Sequence, residues 1–211
     1  MSGLKLIVGL GNPGPTYAET RHNVGAVWLE NLAAGFRISL AEDAKFKARV
    51  GRGLIAGRDV RLLIPTTYMN DSGEAVGAIM RFFKWEPAEL LVAYDEMAFE
   101  PGQVRYRSGG GDNGHNGIRS IVSHLGNRKD FHRLRIGVGH PGNRSKVTSY
   151  LTSSKMPQSE RRLMEDGLNL PDALLADLLR GEWQKFTNAL HAPDPGESAK
   201  QTEQQPKTAE E

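Results

Sequence analysis

Four short apolar runs, Leu4 to Leu10, Arg58 to Ile64, Glu89 to Tyr94 and Leu134 to Val138, are separated by stretches whose apolar residues recur three and four positions apart. The runs read as buried strands and the spaced stretches, Val24 to Ala34, Ser72 to Phe83 and Asn116 to Leu125, as helices. Each such helix must bury its apolar stripe against a sheet, so the alternation predicts an α/β fold with helices on both faces. The expected architecture is a single-domain, three-layer α/β/α sandwich around a mixed, largely parallel twisted sheet. Lys45 to Arg52 and Gln103 to Arg107 add shorter, half-exposed strands. After Pro157, Ser159 to Leu168 and Pro171 to Leu190 read as C-terminal helices.

A chain of 211 residues is long enough for one well-buried core, and nothing linker-like divides it before the end. From Ala192 to Glu211 there is no large apolar side chain, only Ala, Pro, Gly and polar residues. Burial there cannot offset the entropy of ordering, so the expectation is a domain over 1–191 and a disordered tail over 192–211.

The absence of cysteine excludes disulfides, thiolate nucleophiles and Cys-ligated zinc. The start, Met-Ser-Gly-Leu-Lys, has no signal-peptide pattern and no run reaches transmembrane length, so a cytoplasmic protein without membrane contact is expected. The net charge of +2 hides a strong asymmetry. Between Pro101 and Val147 nine Lys or Arg stand against two Asp, which reads as a phosphate-facing surface. A solvated face with remote counter-charges is the alternative reading of the same segment.

In open α/β sheets ligands bind beyond the carboxyl ends of the strands. Asn12 follows the first strand, Thr66 to Asn70 the second, Asp95-Glu96 the third and His140 the last. Two His-Asn dipeptides, His22-Asn23 and His115-Asn116, lie beside glycine-containing turns, and an imidazole can take a proton near neutral pH. His22 with Asp95 suggests a general-base dyad in which the carboxylate holds the ring in one tautomer. The bland alternative is that each histidine caps a helix or bonds a loop carbonyl. His124 and His132 are expected in structural or surface contacts.

Other chemistries fit less well. Gly9-Leu-Gly-Asn-Pro-Gly14 matches the dinucleotide fingerprint, but Pro13 and Pro15 oppose a helix starting in the loop, and the acidic residue twenty positions on, Glu30, falls inside a helical pattern. Nicotinamide or flavin binding is therefore not expected. No Gly-x-Ser-x-Gly elbow is present. The histidines show no His-x-x-x-His spacing, so no metal is expected, although ligands from distant positions leave a zinc hydrolase open.

Six motifs in order narrow the choice: Gly9-Leu-Gly-Asn-Pro-Gly14, Tyr17-x-x-Thr-Arg-His-Asn-x-Gly25, Thr67-Tyr-Met-Asn-x-Ser-Gly73, Asp95-Glu96, Gly109-Gly-Gly-x-x-Gly-His-Asn-Gly117 and Phe131-His-Arg-Leu-Arg-Ile-Gly-Val-Gly-His-Pro-Gly142. Together they resemble the bacterial-type peptidyl-tRNA hydrolases from about Leu4 to Leu190. The resemblance implies hydrolysis of the ester joining a peptide to the 3′-terminal ribose of tRNA, by a monomer without cofactor or metal. It implies His22 as the base acting on water, Asp95 as its orienting partner, and Asn12 as a substrate contact that distinguishes a blocked from a free amine. Tyr17, Tyr68, Met69, Asn70 and Asn116 would line the substrate groove, with Asn116 either placing the water or polarising the carbonyl. Arg107 and Arg135 resemble the family's clamp on the tRNA 5′-phosphate, and Arg144 and Lys146 would extend it.

Tyr94 before Asp95, the pair Ala98-Phe99, and Asp112-Asn113 depart from the family's commoner residues and bear on substrate preference. A catalytically silent RNA-binding relative of the same fold is the rival reading, and a cofactor-binding oxidoreductase a third.

Overall fold

A computed structural model describes residues 3–191; the expected tail over 192–211 lies outside the described residues. Seven strands are present: β1 (Leu6–Gly9), β2 (Ala41–Asp43), β3 (Ala48–Ile55), β4 (Arg58–Pro65), β5 (Leu90–Glu96), β6 (Val104–Ser108) and β7 (His132–Gly137). They form one sheet in the order β2-β3-β4-β1-β5-β7-β6. The four central strands β4, β1, β5 and β7 run parallel. The pairs β2–β3, β3–β4 and β6–β7 are antiparallel. The mixed sheet with a parallel centre agrees with the expectation, and the central runs explain it: all seven residues of β5 are buried, as both-face coverage demands.

Helices α1 (Val24–Gly35), α2 (Ser72–Phe83), α3 (Asn116–His124), α4 (Val147–Thr152), α5 (Gln158–Leu168), α6 (Asp172–Arg180) and α7 (Trp183–Leu190) complete the layers. One core joins α1 and the C-terminal helices to one sheet face through Trp28, Leu29, Leu178 and Phe186. The other joins α2 and α3 to the opposite face through Val76, Ile79, Ile118 and Ile121. Removing each of these large side chains from water contributes about 1.5–3 kcal/mol.

Three differences from the sequence reading have local causes. The span Pro171 to Leu190 is two helices, because Gly181 takes a left-handed φ of 80° and ends α6. The strand expected from Lys45 begins only at Ala48, since Lys47 has a φ of 49° and closes a turn. The strand β2 and the helix α4 were not foreseen; three exposed-to-intermediate residues and a single short helix carry too little periodicity to register.

The strand order puts β1 between β4 and β5, so the loops after these three strands lie side by side at one end of the sheet. Gly25 brings α1 down onto that end of the sheet. A Cβ there would lie 2.2 Å from the Ala93 carbonyl oxygen, so only glycine lets the helix start, and His22 before it, approach β5 this closely. No helix starts within the loop after Gly9; α1 begins at Val24, after a turn and a short 3-10 segment at Arg21–Asn23.

Candidate active site

Asp95 stands at the carboxyl end of β5 and is 3% exposed. Its Oδ1 receives two imidazoles: His22 donates from Nδ1 at 2.8 Å, and His115 donates from Nε2 at 2.9 Å. The protonation pattern follows from the partners. His115 caps α3 by accepting the Ile118 N–H at Nδ1, 3.3 Å away, so its proton is on Nε2, toward Asp95. Burial pushes the Asp95 carboxyl up, but the two histidines outweigh it and hold the group well below the usual carboxylate range. Burial likewise disfavours the charged form of His22, yet the charge and hydrogen bond of Asp95 prevail and raise it above its ordinary value. With Nδ1 committed to a carboxylate, the ring lone pair of His22 is on Nε2.

One ligand atom each from His22, Asp95 and His115 lies within 4.8 Å of the others, a spacing a metal could use. The donor chemistry does not fit one. Coordination through His115 Nε2 would move its proton to Nδ1, against the Ile118 N–H that now donates there.

A 510 Å³ cavity opens over this cluster. His22, Asp95, His115 and Asn116 line it with Tyr94, Glu96, His140 and Arg144, and α4 supplies a wall from Val147, Thr148, Leu151 and Thr152. His140, exposed, accepts the Gly142 N–H at Nδ1. Asn12 stands on the other side of the ridge and lines a second cavity of 290 Å³ with Asn23, Thr66, Glu30, Glu42 and Arg49. The ridge is continuous: Asn12 Oδ1 accepts the Met69 N–H at 2.8 Å, and a Cβ on Gly117, next to Asn116, would meet Met69 Sδ at 2.6 Å. Tyr17 and Tyr68 form an edge-to-face pair, centroids 6.4 Å apart, with Tyr68 57% exposed. Asn70 is exposed and donates to Asp71 at 3.2 Å.

Asn23 precedes α1 without capping it. Its Oδ1 accepts the backbone N–H of Asn12 at 2.8 Å and Nδ2 donates to the Asn12 carbonyl at 2.9 Å. The two-point clasp fixes the loop that carries Asn12.

The basic residues divide. Arg107, Arg144 and Lys146 are exposed. Arg135 is not: its Nε and Nη2 donate to Glu96 Oε2 at 3.1 and 2.8 Å, and the guanidinium lies 4.7 Å from the Phe99 ring centre. Glu96 also accepts from Ala98 and Asn113, so it is a buried hub between the cavity and the basic surface. The adjacency Asp95-Glu96 was the only sequence signal for it. His132 is buried against Tyr106 and Trp183, and His124 bonds the Ser120 carbonyl, both structural contacts as expected.

A family model described as Peptidyl-tRNA hydrolase matches residues 6–201, running past the boundary expected at 191. The peptidyl-tRNA hydrolase of Pseudomonas aeruginosa is 46% identical over 192 residues, covering 91% of this chain and 98% of its own. That of Pectobacterium atrosepticum is 48% identical with the same coverage of 91% and 98%. The crystal structure of peptidyl-tRNA hydrolase from Acinetobacter baumannii matches with a TM-score of 0.87 at 44% identity, over 92% of this chain and 98% of that one. With a family model matched over residues 6–201 and relatives 44–48% identical over nearly their whole length, the chain belongs to the peptidyl-tRNA hydrolase family.

Proposed function

We propose that this protein hydrolyses the ester between a peptide, or any N-blocked aminoacyl group, and the 3′-terminal ribose of tRNA, and that His22 is the base. The observation that carries the reading is the Asp95–His22 pair at the floor of a cavity, with the imidazole oriented so that Nε2 is the basic nitrogen. Water bonded to Nε2 gives it a proton as its oxygen attacks the ester carbonyl carbon. The resulting imidazolium is stabilised by Asp95, which stays ionised. The C–O bond to the ribose then breaks, the imidazolium returns its proton to the ribose oxygen, and the peptide leaves as a carboxylic acid that ionises in solution.

The carboxamides supply polarity without charge. Asn116, at the first turn of α3 and on the cavity wall, is placed to bond the water or the developing oxyanion. Asn12 has its oxygen occupied by Met69, so it offers Nδ2, a donor. A blocked residue presents an amide carbonyl that can accept this bond, whereas a free ammonium only donates. That difference is the proposed basis for sparing ordinary aminoacyl-tRNA. Tyr17, Tyr68, Met69 and Asn70 form the adjoining ridge for the substrate end.

Arg107, Arg144 and Lys146 meet tRNA phosphates, with Arg135 beside them using Nη1, the edge not committed to Glu96. The deciding assay presents purified protein with N-acetylated and free aminoacyl-tRNA. Rapid release from the acetylated substrate alone is expected; an intact acetylated substrate would overturn the reading.

A further inference from the structure

Arg133, within β7, is the largest fully buried side chain among the described residues, 1% exposed. A buried guanidinium ordinarily sits on a carboxylate, because an unpaired charge out of water is strongly destabilising. Among the described residues no carboxylate pairs with Arg133. The charges that bear on it are Arg107 and Arg135, both of like sign; burial pushes the guanidinium down, against a hydrogen bond with the Tyr94 phenol. Its Nε has no partner, and its guanidinium carbon lies 4.6 Å from the Phe131 ring centre.

What Arg133 does hold is backbone. Nη1 donates to the Gly111 carbonyl and Nη2 to the Gly110 carbonyl at 2.7 Å. Those carbonyls belong to the glycine loop that runs directly into His115 and Asn116. The Gly109 N–H donates to the Phe131 carbonyl, and two further anchors lead to the basic surface: Asn113 donates to Glu96, which holds Arg135, and Asp112 accepts from Arg119. In the β6–β7 ladder Arg107 stands opposite Arg133 and Arg105 opposite Arg135, so the four arginines rise from one face of the sheet.

We propose that Arg133 is a positioning residue for hydrolysis: it holds the glycine loop in the shape that brings His115 onto Asp95 and Asn116 into the cavity, and links that shape to the arginine face. The inference rests on the hydrolytic reading of the site. An apolar side chain of similar length would fill the space without a buried charge, so packing alone does not call for arginine. Two carbonyls on consecutive residues do, because a planar fork reaches both at once.

The test compares Arg133→Met and Arg133→Lys with the unsubstituted protein on N-acetylated aminoacyl-tRNA, with kcat and KM expressed per folded molecule from circular dichroism. For Arg133→Met, KM is expected to stay within about threefold while kcat falls about tenfold or more, since small misplacements of catalytic groups act on kcat. Its melting temperature is recorded alongside, because the variant loses the bonds to Gly110 and Gly111 together with a buried charge that has no carboxylate partner. Arg133→Lys, keeping the charge and one carbonyl bond, should recover part of kcat. A kcat per folded molecule within about twofold of the unsubstituted value in both variants would overturn the role. If Arg133→Met does not fold, Arg133→Lys alone decides by the same criterion. Turnover by the unsubstituted protein is measured alongside: its absence would sink the hydrolase reading, whereas normal turnover in the variants removes only the role of Arg133.

Discussion

The two His-Asn pairs, His22-Asn23 and His115-Asn116, converge on one carboxylate oxygen and yet divide their labour in opposite ways. In the first, the histidine keeps Nε2 without a partner among the described residues while the asparagine turns inward to clasp the Asn12 backbone. In the second, both ring nitrogens are committed, one to the α3 cap and one to Asp95, while the asparagine lines the cavity. A dipeptide therefore says nothing by itself about which member is reactive. The deciding fact is which ring nitrogen the surrounding backbone and carboxylate have left over.

The comparison breaks most sharply at His22. Replacing it by Ala should lower kcat by on the order of 10²–10⁴ while tRNA affinity holds, because a base is lost and no phosphate contact is touched. Turnover retained in a peptide-release assay would mean that the two pairs had been assigned the wrong way round. Next comes Asp95→Asn, expected to lower kcat by about 10²-fold or more. It should also move the pH profile. In the proposed mechanism the base works unprotonated, so activity should be lost as pH falls through the His22 value, which Asp95 holds above the ordinary 6.5. Without the carboxylate only burial remains, and the acid limb of kcat/KM should shift to lower pH; a limb that stays in place would show that another group titrates.

Asn23→Ala probes the inward-facing asparagine. It leaves His22 and Asp95 in place but frees the Asn12 loop, so the ratio of blocked to free aminoacyl-tRNA hydrolysis should fall further than kcat does. An unchanged ratio would separate Asn12 from discrimination. His115→Ala removes the α3 cap and should lower stability by about 1 kcal/mol, measured by urea unfolding, with only a modest loss of kcat. A loss equal to that of His22→Ala would make the two histidines equivalent after all. The smallest effect is expected at the rim: Arg144→Ala should leave kcat unchanged and flatten the salt dependence of tRNA binding by about one phosphate contact.

Much of this was legible in the chain. The span Ser72–Phe83 is the helix its periodicity predicts, and the central strands fall within a few residues of their apolar runs. Both follow from local geometry: burial on one side of a helix, or on both faces of a strand, writes itself into residue order. Asp95 was also visible, because polar residues after buried strands must lie at the sheet's carboxyl edge; His22 stood out as a His-Asn pair beside a glycine turn, and Asn116 in the groove was an implication of the family resemblance. The division within each pair was not. It depends on bonds between His22 and Asp95, 73 positions apart, and between Asn12 and Asn23, 11 apart. Arg135 illustrates the same limit: counted as a cation in sequence, it is already engaged by Glu96 across the β5–β7 ladder.

What the sequence determined by itself was the α/β alternation, the exclusion of cysteine chemistry, and a short set of polar residues obliged to meet at one edge. Periodicity and composition suffice for these because they are sums over neighbours in the chain. Only the tertiary structure decided that Asp95 serves two histidines, that Asn23 holds Asn12, and that Arg133 is buried on glycine carbonyls rather than on an acid. Those outcomes depend on strand order and register, which bring distant groups within about 3 Å, the distance at which a hydrogen bond forms or does not.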